Sequence, residues 1–393
     1  MGCGYIGLPT AVVFALAGYE VCGFDVKPDT VEQLNGGKIH IVEPGLQEAM
    51  DEAMATGRLH FSTEAEPADV FIIAVQTPYR ETGDGKRVSD MGYVEAAARS
   101  VGAVIQKGGL CVLESTSPPY STRLVESIVS ETSGLAPEDF MTAHCPERII
   151  PGRMLIELRE NDRIIGAPRP ESAEYTKGIY EKVLTKGVIR TTDDLTAEMC
   201  KLTENTFRDI NIAFANELSK VCDRLGVDVF QLIELANCHP RVNVHTPGVG
   251  VGGHCIAVDP WFIHEKFEDI TPLIYEARTI NDGKPEWVAE RIARDVEPGA
   301  KVAVLGMSFK ANIDDIRESP SVVFSRILQA RGYEVIVCEP YVKGPVAGFE
   351  NHCLEDALAC CDYAVITLKH NVFQEKKDLI AAKPHYDCVG LLR

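Results

Sequence analysis

Short runs of apolar residues, set between amphipathic stretches, mark two regions of this chain, and a third region between them reads as helical. In the first region, up to about residue 190, the runs at 21–25, 70–75 and 110–114 read as strands, with shorter ones at 164–166 and 188–190. These runs are continuously apolar rather than alternating, which predicts a parallel sheet covered on both faces. From 196 to 225 apolar residues recur at helical spacing, and neither proline nor glycine intervenes before Gly226. That predicts one long helix able to join two domains and offer a dimer surface. A fresh strand and turn begin at 301–306, and the runs at 335–338 and 363–368 continue a second parallel sheet.

Composition narrows the class without naming an activity. A chain of 393 residues suits two or three domains with a large core. Hydrophobic content of 45% and charged content of 25% are those of an ordinary globular protein. A net charge of -19 argues against nucleic acid as a partner, although local Arg and Lys clusters can still hold an anionic ligand. No run of about 18 apolar residues is present, so no membrane partner is expected. The start lacks a basic stretch and a small-residue cleavage site, so no secretory signal is expected either. The 13 cysteines are scattered, odd in number and without C-x-x-C pairs, which points to reduced thiols, a cytoplasmic location and no metal site. Cys360-Cys361 reads as packing in an Ala-rich helix.

Gly2-Cys3-Gly4-Tyr5-Ile6-Gly7 is a G-x-G-x-x-G pattern leading into a helix predicted over 10–17. Its glycines permit a tight turn and close approach of a pyrophosphate to the helix N-terminus. The strand that follows ends in Asp25, at the distance expected for the acid that binds a ribose 2′-hydroxyl. That acid repels a 2′-phosphate, so NAD is the expected cofactor rather than NADP. The strand that should precede Gly2 is not found in the chain as it begins, and the expectation is an upstream segment that supplies it. The resulting fold class is α/β: two Rossmann-like, doubly wound parallel-sheet domains, 1–190 and 296–393, joined by a long-helix central domain, 191–295.

The run Val251-Gly252-Gly253-His254-Cys255-Ile256-Ala257-Val258-Asp259-Pro260 carries the candidate chemistry. Two glycines strip side chains from the backbone just before a thiol, as a chain does when it presents a nucleophile in a tight pocket. A thiol beside a hydride acceptor can capture an aldehyde and pass it on as a thioester. Lys201, Asn205 and Arg208 recur at i, i+4 and i+7 and share a helix face, which either lines an anionic site or is simply solvated. Glu114 to Pro119 follows the end of a strand, where ligands sit in open α/β sheets. Glu147, in Cys145-Pro146-Glu147-Arg148, stands either as a base or as a turn cap. His239, Arg241, Phe309, Lys310 and Arg317 lie in segments whose basic groups suit a phosphate.

Together these segments resemble the nucleotide-sugar 6-dehydrogenases, the UDP-glucose and UDP-N-acetylmannosamine dehydrogenase family, along essentially the whole chain. The phrases Ile41-Val42-Glu43-Pro44, TAEMCKLTENTFRDINIAFANEL, ANCHPRVN and GGHCIAVDPWFI look most like the N-acetylmannosamine branch. The resemblance implies that Cys255 is the nucleophile, that Lys201 and Asn205 steady the oxygen at C6, and that Asp259 orders the catalytic water. It implies that Glu147 and Thr116 assist proton transfer and water placement. Tyr5, Ile6, Asp25, Thr77 and Thr116 would contact NAD, together with Gly2, Gly4 and Gly7 of the loop. Arg148, Ile149, Arg208, His239, Arg241, Gly253, Phe309, Lys310 and Arg317 would contact the UDP-sugar, along with Lys201 and Asn205. A homodimer is implied, with Arg241 reaching a neighbouring subunit's site. Gln76, Val249 and Tyr120 depart from the family pattern, the first two where it has proline and the last where it has glycine. The segment after Asp387 lacks a basic residue the family often has.

The implied reaction is a four-electron, NAD-dependent oxidation of UDP-N-acetyl-D-mannosamine at C6, through a thiohemiacetal and thioester on Cys255. The alternatives are the same reaction on UDP-N-acetylglucosamine or UDP-glucose, or a two-electron dehydrogenase in which Cys255 is structural.

Overall fold

The computed structural model describes every residue except Asp84, Pro151 and His254. The chain divides into two compact units, Met1–Thr203 and Glu204–Arg393. The first unit contains β1 (Val21–Phe24), β2 (Leu59–Ser62), β3 (Val70–Ile73), β4 (Tyr79–Glu81), β5 (Arg87–Ser89), β6 (Leu110–Leu113), β7 (Met141–His144), β8 (Arg163–Ala167) and β9 (Ile189–Asp193). β1 and β2 pair in parallel, β4 and β5 form an antiparallel hairpin, and the main sheet runs β3-β6-β7-β8-β9.

The expected gap before Gly2 is bridged by the first two residues. Gly2 N donates to Phe24 O at 2.8 Å, and Ala74 N donates to Met1 O at 2.9 Å. Met1 and Gly2 thus lie between β1 and β3, in the strand position the glycine loop requires. The strand order reverses about them, which places the loop at the topological switch point of the unit.

The helix Gly7–Leu16 begins at the third glycine of the pattern. Leu8, Val12 and Ala15 pack with β1 and β2, while Val13 and Phe14 pack with the side chains of β6, β7 and β8. A helix held between two cores must be apolar on both sides, and this one is. One expectation needs correction: the main sheet is not wholly parallel, because β7 meets β8 antiparallel at His144 and Gly166. Such mixed sheets are common in doubly wound folds.

In the second unit, β10 (Lys301–Leu305), β11 (Glu334–Cys338), β12 (Tyr363–Ile366) and β13 (His385–Asp387) form an all-parallel sheet in the order β11-β10-β12-β13. Val302 and Val304 point into one core with Val288, Ile292, Phe324 and Leu328. Ala303 and Leu305 point into the other with Leu354, Leu358 and Phe373. Because both faces are covered, the strand reads as continuously apolar. The long helix runs without a break over Asp194–Leu225. Among the described residues, no helix is long and apolar enough to cross a membrane.

Candidate active site

The geometry of the glycine loop separates three reasons for glycine. Gly2 has φ of +88°. A Cβ on Gly7 would lie 1.7 Å from Gly2 O, so the turn itself forbids a side chain there. A Cβ on Gly4 would meet nothing within 4 Å. Its place is kept open toward whatever docks over the N-terminus of the helix, as a pyrophosphate cradle requires. Asp25 accepts Cys3 N at 2.9 Å through one oxygen and Lys27 N at 3.0 Å through the other. The carboxylate therefore steadies the loop as well as carrying the charge expected beside a ribose. Ile6 is the residue before the helix, and Tyr5 is exposed.

At the C-terminal ends of β3 and β6, Thr77 donates its hydroxyl to Thr116 O at 2.6 Å, and Ser115 donates to Val75 O at 2.6 Å. These bonds hold together the two segments expected to contact NAD. The turn that follows carries an irregularity. Tyr120 has φ of 77°, in the left-handed region that favours glycine, which is the residue the family pattern has there. Tyr120 N donates to Glu198 Oε2 at 2.7 Å, and the Thr122 amide and hydroxyl donate to Glu198 Oε1 at 2.7 and 2.6 Å. Buried Glu198 thus clamps the strained turn to the long helix.

The first unit also holds a buried polar cluster that sequence reasoning missed. Glu147 pairs with Arg163 at 3.0 Å, and both side chains are buried. Arg163 also lies 5.0 Å over the Tyr180 ring. Tyr180 donates to Glu114 Oε1 at 2.6 Å, and Thr10 donates to Glu114 Oε2 at 3.4 Å. Burial, and then the charge of Glu147, raise the Glu114 carboxyl to about 7. Glu147 thus sits in a buried ion pair, and its carboxylate also accepts Arg148 N at 2.7 Å. Arg148 Nη1 donates to Asp162 O at 3.2 Å, and Ile149 packs partly buried beside Leu158 and Ile165. Lys201 stands half-buried on the long helix.

The second unit holds the candidate nucleophile. Cys255 is exposed, and its carbonyl accepts Val258 N at 3.0 Å and Asp259 N at 2.9 Å in the turn that enters the helix Asp259–His264. Asn205 Nδ2 donates to Asp259 Oδ2 at 2.6 Å, with both side chains buried. A Cβ on Gly252 would lie 2.3 Å from Glu318 O, and one on Gly253 would lie 2.9 Å from the Phe309 ring. Here the glycines are demanded by close packing, and Phe309 seats the backbone that leads to Cys255. His254 lies outside the described residues.

The loop ahead of those glycines is tied to the long helix. Arg278 Nη1 donates to Asp209 Oδ1 at 2.5 Å, and Asn281 Nδ2 donates to the same oxygen at 2.8 Å. Asn216 Nδ2 donates to Asn281 Oδ1 at 2.9 Å, and Gly248 N donates to Asn216 Oδ1 at 3.0 Å. Burial raises the Asp209 carboxyl to about 6, with Arg278 acting against the rise. Arg208, His239 and Arg241 are exposed. Asn211 and Asn237 pin the segment after them, through bonds to His245 N and Val244 N.

After β10, Phe309 and Lys310 lie at the switch point of the sheet, where open α/β folds bind ligands. Glu339, just past β11, accepts Met307 N at 2.7 Å and Ser308 N at 2.9 Å, and buried His370 contacts it at 3.2 Å. Burial opposes ionisation of Glu339, but His370 and the amides outweigh it and hold its pKa below the usual value. Arg317 grips Asp315 with Nε at 2.9 Å and Nη2 at 2.6 Å. Asp387, where a following basic residue was missing, caps its own turn by accepting Val389 N, Gly390 N and Leu392 N.

Residues 1–184, 195–283 and 303–393 match in turn the NAD binding, central and UDP binding domains of the UDP-glucose/GDP-mannose dehydrogenase family. The chain belongs to this family. It is an NAD-dependent UDP-sugar dehydrogenase. The NDP-N-acetyl-D-galactosaminuronic acid dehydrogenase of Ralstonia nicotianae is 46% identical over 391 residues, covering 95% of this chain and 91% of that protein. The UDP-N-acetyl-D-mannosamine dehydrogenase of Campylobacter jejuni is 43% identical over 392 residues, covering 95% of each. Among solved structures, the UDP-D-ManNAc dehydrogenase of Pyrococcus horikoshii aligns with a TM-score of 0.91 at 37% identity, covering 100% of this chain and 95% of that one. The residues of the family's NAD domain fit the cofactor: the space over Gly4, the amides at the start of Gly7–Leu16 and the carboxylate of Asp25 are the donors and acceptor a dinucleotide needs.

Proposed function

We propose that this enzyme oxidises UDP-N-acetyl-D-mannosamine at C6 to the uronate, with Cys255 holding the aldehyde-level intermediate. The observation that carries the reading is the exposed Cys255 thiol, set two residues past a glycine on which the Phe309 ring rests. When bound, NAD accepts the hydride in each of the two oxidations. The C6 hydroxyl gives up its proton as its carbon becomes an aldehyde, and Lys201 offsets the charge that develops on that oxygen. The Cys255 sulfur then bonds to the aldehyde carbon, and the resulting thiohemiacetal keeps the aldehyde from escaping. Its oxidation leaves a thioester. Water held by Asp259, itself steadied by Asn205, adds to the thioester carbon and breaks the carbon–sulfur bond, giving the carboxylate and a free thiol. The overall change consumes one water and two NAD per sugar and releases two NADH and three protons.

In this reading Arg148, Ile149, Arg208, His239, Arg241, Gly253, Phe309, Lys310 and Arg317 contact the UDP-sugar, and Glu147 and Thr116 assist proton transfer and water placement. The functional partition falls at about residues 190 and 295. The 13 scattered cysteines suit a reducing, cytoplasmic setting. Phe207, Phe214, Val221 and Leu225 leave an exposed apolar stripe along the long helix, which suits a homodimer interface. The mass of the protein in solution checks that assembly.

The four-electron reading is tested by NADH stoichiometry and product analysis with UDP-N-acetylmannosamine. Two NADH and one uronate per sugar support it, whereas one NADH and a released aldehyde overturn it. A second reading, the same oxidation on the galacto-configured N-acetyl sugar, is favoured by the 46% identity to the Ralstonia relatives. Comparing kcat/KM for the two sugars, with UDP-N-acetylglucosamine and UDP-glucose alongside, decides between them.

A further inference from the structure

β1 and β2 pair so that Cys22 stands beside His60. Leu59 and Phe61 turn inward to the core, so the side chains of Cys22 and His60 share the opposite, outer face. The segment after β2 folds back and brings Glu66 over the pair. His60 Nε2 lies 3.1 Å from Glu66 Oε2. The donor atoms of Cys22, His60 and Glu66 all lie within 4.8 Å of one another. Among the described residues, this is the one cluster of three or more such donors. Its members are far apart in sequence, which is why no ligand spacing revealed it.

We propose that Cys22, His60 and Glu66 form a Zn2+ site that staples β1 to β2. The donor set is one sulfur, one imidazole nitrogen and one carboxylate oxygen. That mixture suits zinc, whereas calcium and magnesium prefer oxygen alone. A tetrahedral ion with bonds of about 2.0 Å to nitrogen and oxygen sets those ligands roughly 3.3 Å apart. The His60–Glu66 separation already approaches that edge. The exposed His60 and Glu66 side chains have room to close on the sulfur, and solvent supplies the fourth ligand. On binding, the Cys22 thiol releases its proton as the sulfur–metal bond forms, and the His60–Glu66 contact is replaced by two metal bonds. No electron transfer is involved.

The place of the staple gives it a purpose. Among the described residues β2 pairs only with β1, through a parallel ladder of four residues, so few bonds hold that edge of the sheet. β1 leads directly to Asp25, which holds the glycine loop through Cys3 N. An ion across Cys22 and His60 therefore stiffens the strand that carries the cofactor acid. This inference stands apart from the proposed reaction, because its readouts are metal binding and thermal stability.

The test uses the full chain, stripped with a chelator and titrated with Zn2+ by calorimetry and with Co2+ by absorption spectroscopy. One equivalent of Zn2+ should bind more tightly than about 100 μM and raise the Tm. Co2+ should give a thiolate-to-metal absorption band. Cys22→Ser should abolish that band and weaken Zn2+ binding at least tenfold, and His60→Ala and Glu66→Gln should each weaken it as well. Cys255→Ser should leave the band in place. Melting curves without metal confirm that each variant folds. Should Cys22→Ser fail to fold, the wild-type cobalt band and the Glu66→Gln affinity decide the matter. Absence of saturable binding in the wild type overturns the proposal. So does a cobalt band that survives Cys22→Ser, or one lost in Cys255→Ser.

Discussion

The Asn205 amide meets the Asp259 carboxylate at 2.6 Å, and neither group is open to solvent. Replacing the amide by a second carboxylate sets two like charges at that separation, and one of them must take up a proton. Asn205→Asp should therefore lower the Tm at neutral pH. The raised carboxyl pKa makes the folded state bind more protons than the unfolded one, so stability is lost as pH rises through it. Melts of variant and wild type at pH 5 and pH 7.5 check this. The penalty of the variant should be larger at the higher pH, and an equal penalty at both would remove Asp259 from the interaction.

Cys255→Ser should bind UDP-sugar and NAD but lose nearly all net turnover, because a hydroxyl is a far poorer nucleophile near neutral pH. Cys255→Ala should form no covalent adduct. Mass spectrometry of the protein after mixing with substrate and NAD, alongside steady-state NADH production, reads both outcomes. Near-normal uronate release by Cys255→Ala would reduce this thiol to packing.

Gly4 and Gly7 should fail in different ways. A methyl group on Gly7 collides with the Gly2 carbonyl at 1.7 Å, so Gly7→Ala should damage the fold of the first unit. The same methyl on Gly4 touches no protein atom, so Gly4→Ala should melt like the wild type and still bind NAD at least tenfold more weakly. Thermal melts and NAD titrations of the two variants give the contrast.

Asp25 combines two roles, and two substitutions separate them. Asp25→Asn keeps an acceptor for Cys3 N but loses the charge that repels a 2′-phosphate. It should narrow the preference for NAD over NADP with little change in Tm. Asp25→Ala also removes the acceptor and should cost about 1 kcal/mol of stability besides. Equal use of both cofactors by the wild type would remove Asp25 from cofactor choice.

Lys284 is buried against Asn216 O and Ser219 Oγ, and burial lowers its pKa to about 7. Between that value and the ordinary lysine value of 10.5 the unfolded chain binds more protons than the folded one, so stability rises with pH across the window. Below about pH 7 the full penalty of charging the buried amine is present. From pH 7 to pH 9 this group alone should add about 2 kcal/mol to the unfolding free energy. Urea titrations should show that rise in the wild type, and Lys284→Met should lack it.

The two sheets were legible because their strands are buried on both faces: Val302 through Leu305 is apolar whichever way each side chain points. β7 escaped notice because its inward residues include Thr142 and His144, both fully buried. β2 alternates, with His60 outside, and β13 has only three residues. The glycine loop, Asp25 and the Cys255 turn could be read locally, since each motif is contiguous. The Glu114–Tyr180–Arg163–Glu147 cluster and the Glu198 clamp could not. Their members are brought together by strand order, and nothing in the spacing of an acid and its distant partner records the pairing. The glycines before Cys255 were legible as glycines, but their demand comes from Phe309 and Glu318, well beyond any local window.

The left-handed Tyr120, held by Glu198, makes the order of mutations matter. With tyrosine in place, loss of Glu198 releases a strained turn and strands three donors at once. With glycine at 120 the turn is relaxed, and only the stranded donors remain to be answered. A library that randomises the long helix should therefore tolerate changes at 198 more readily in a Tyr120→Gly background. The two positions form an epistatic pair, and the path through glycine is the permissive one.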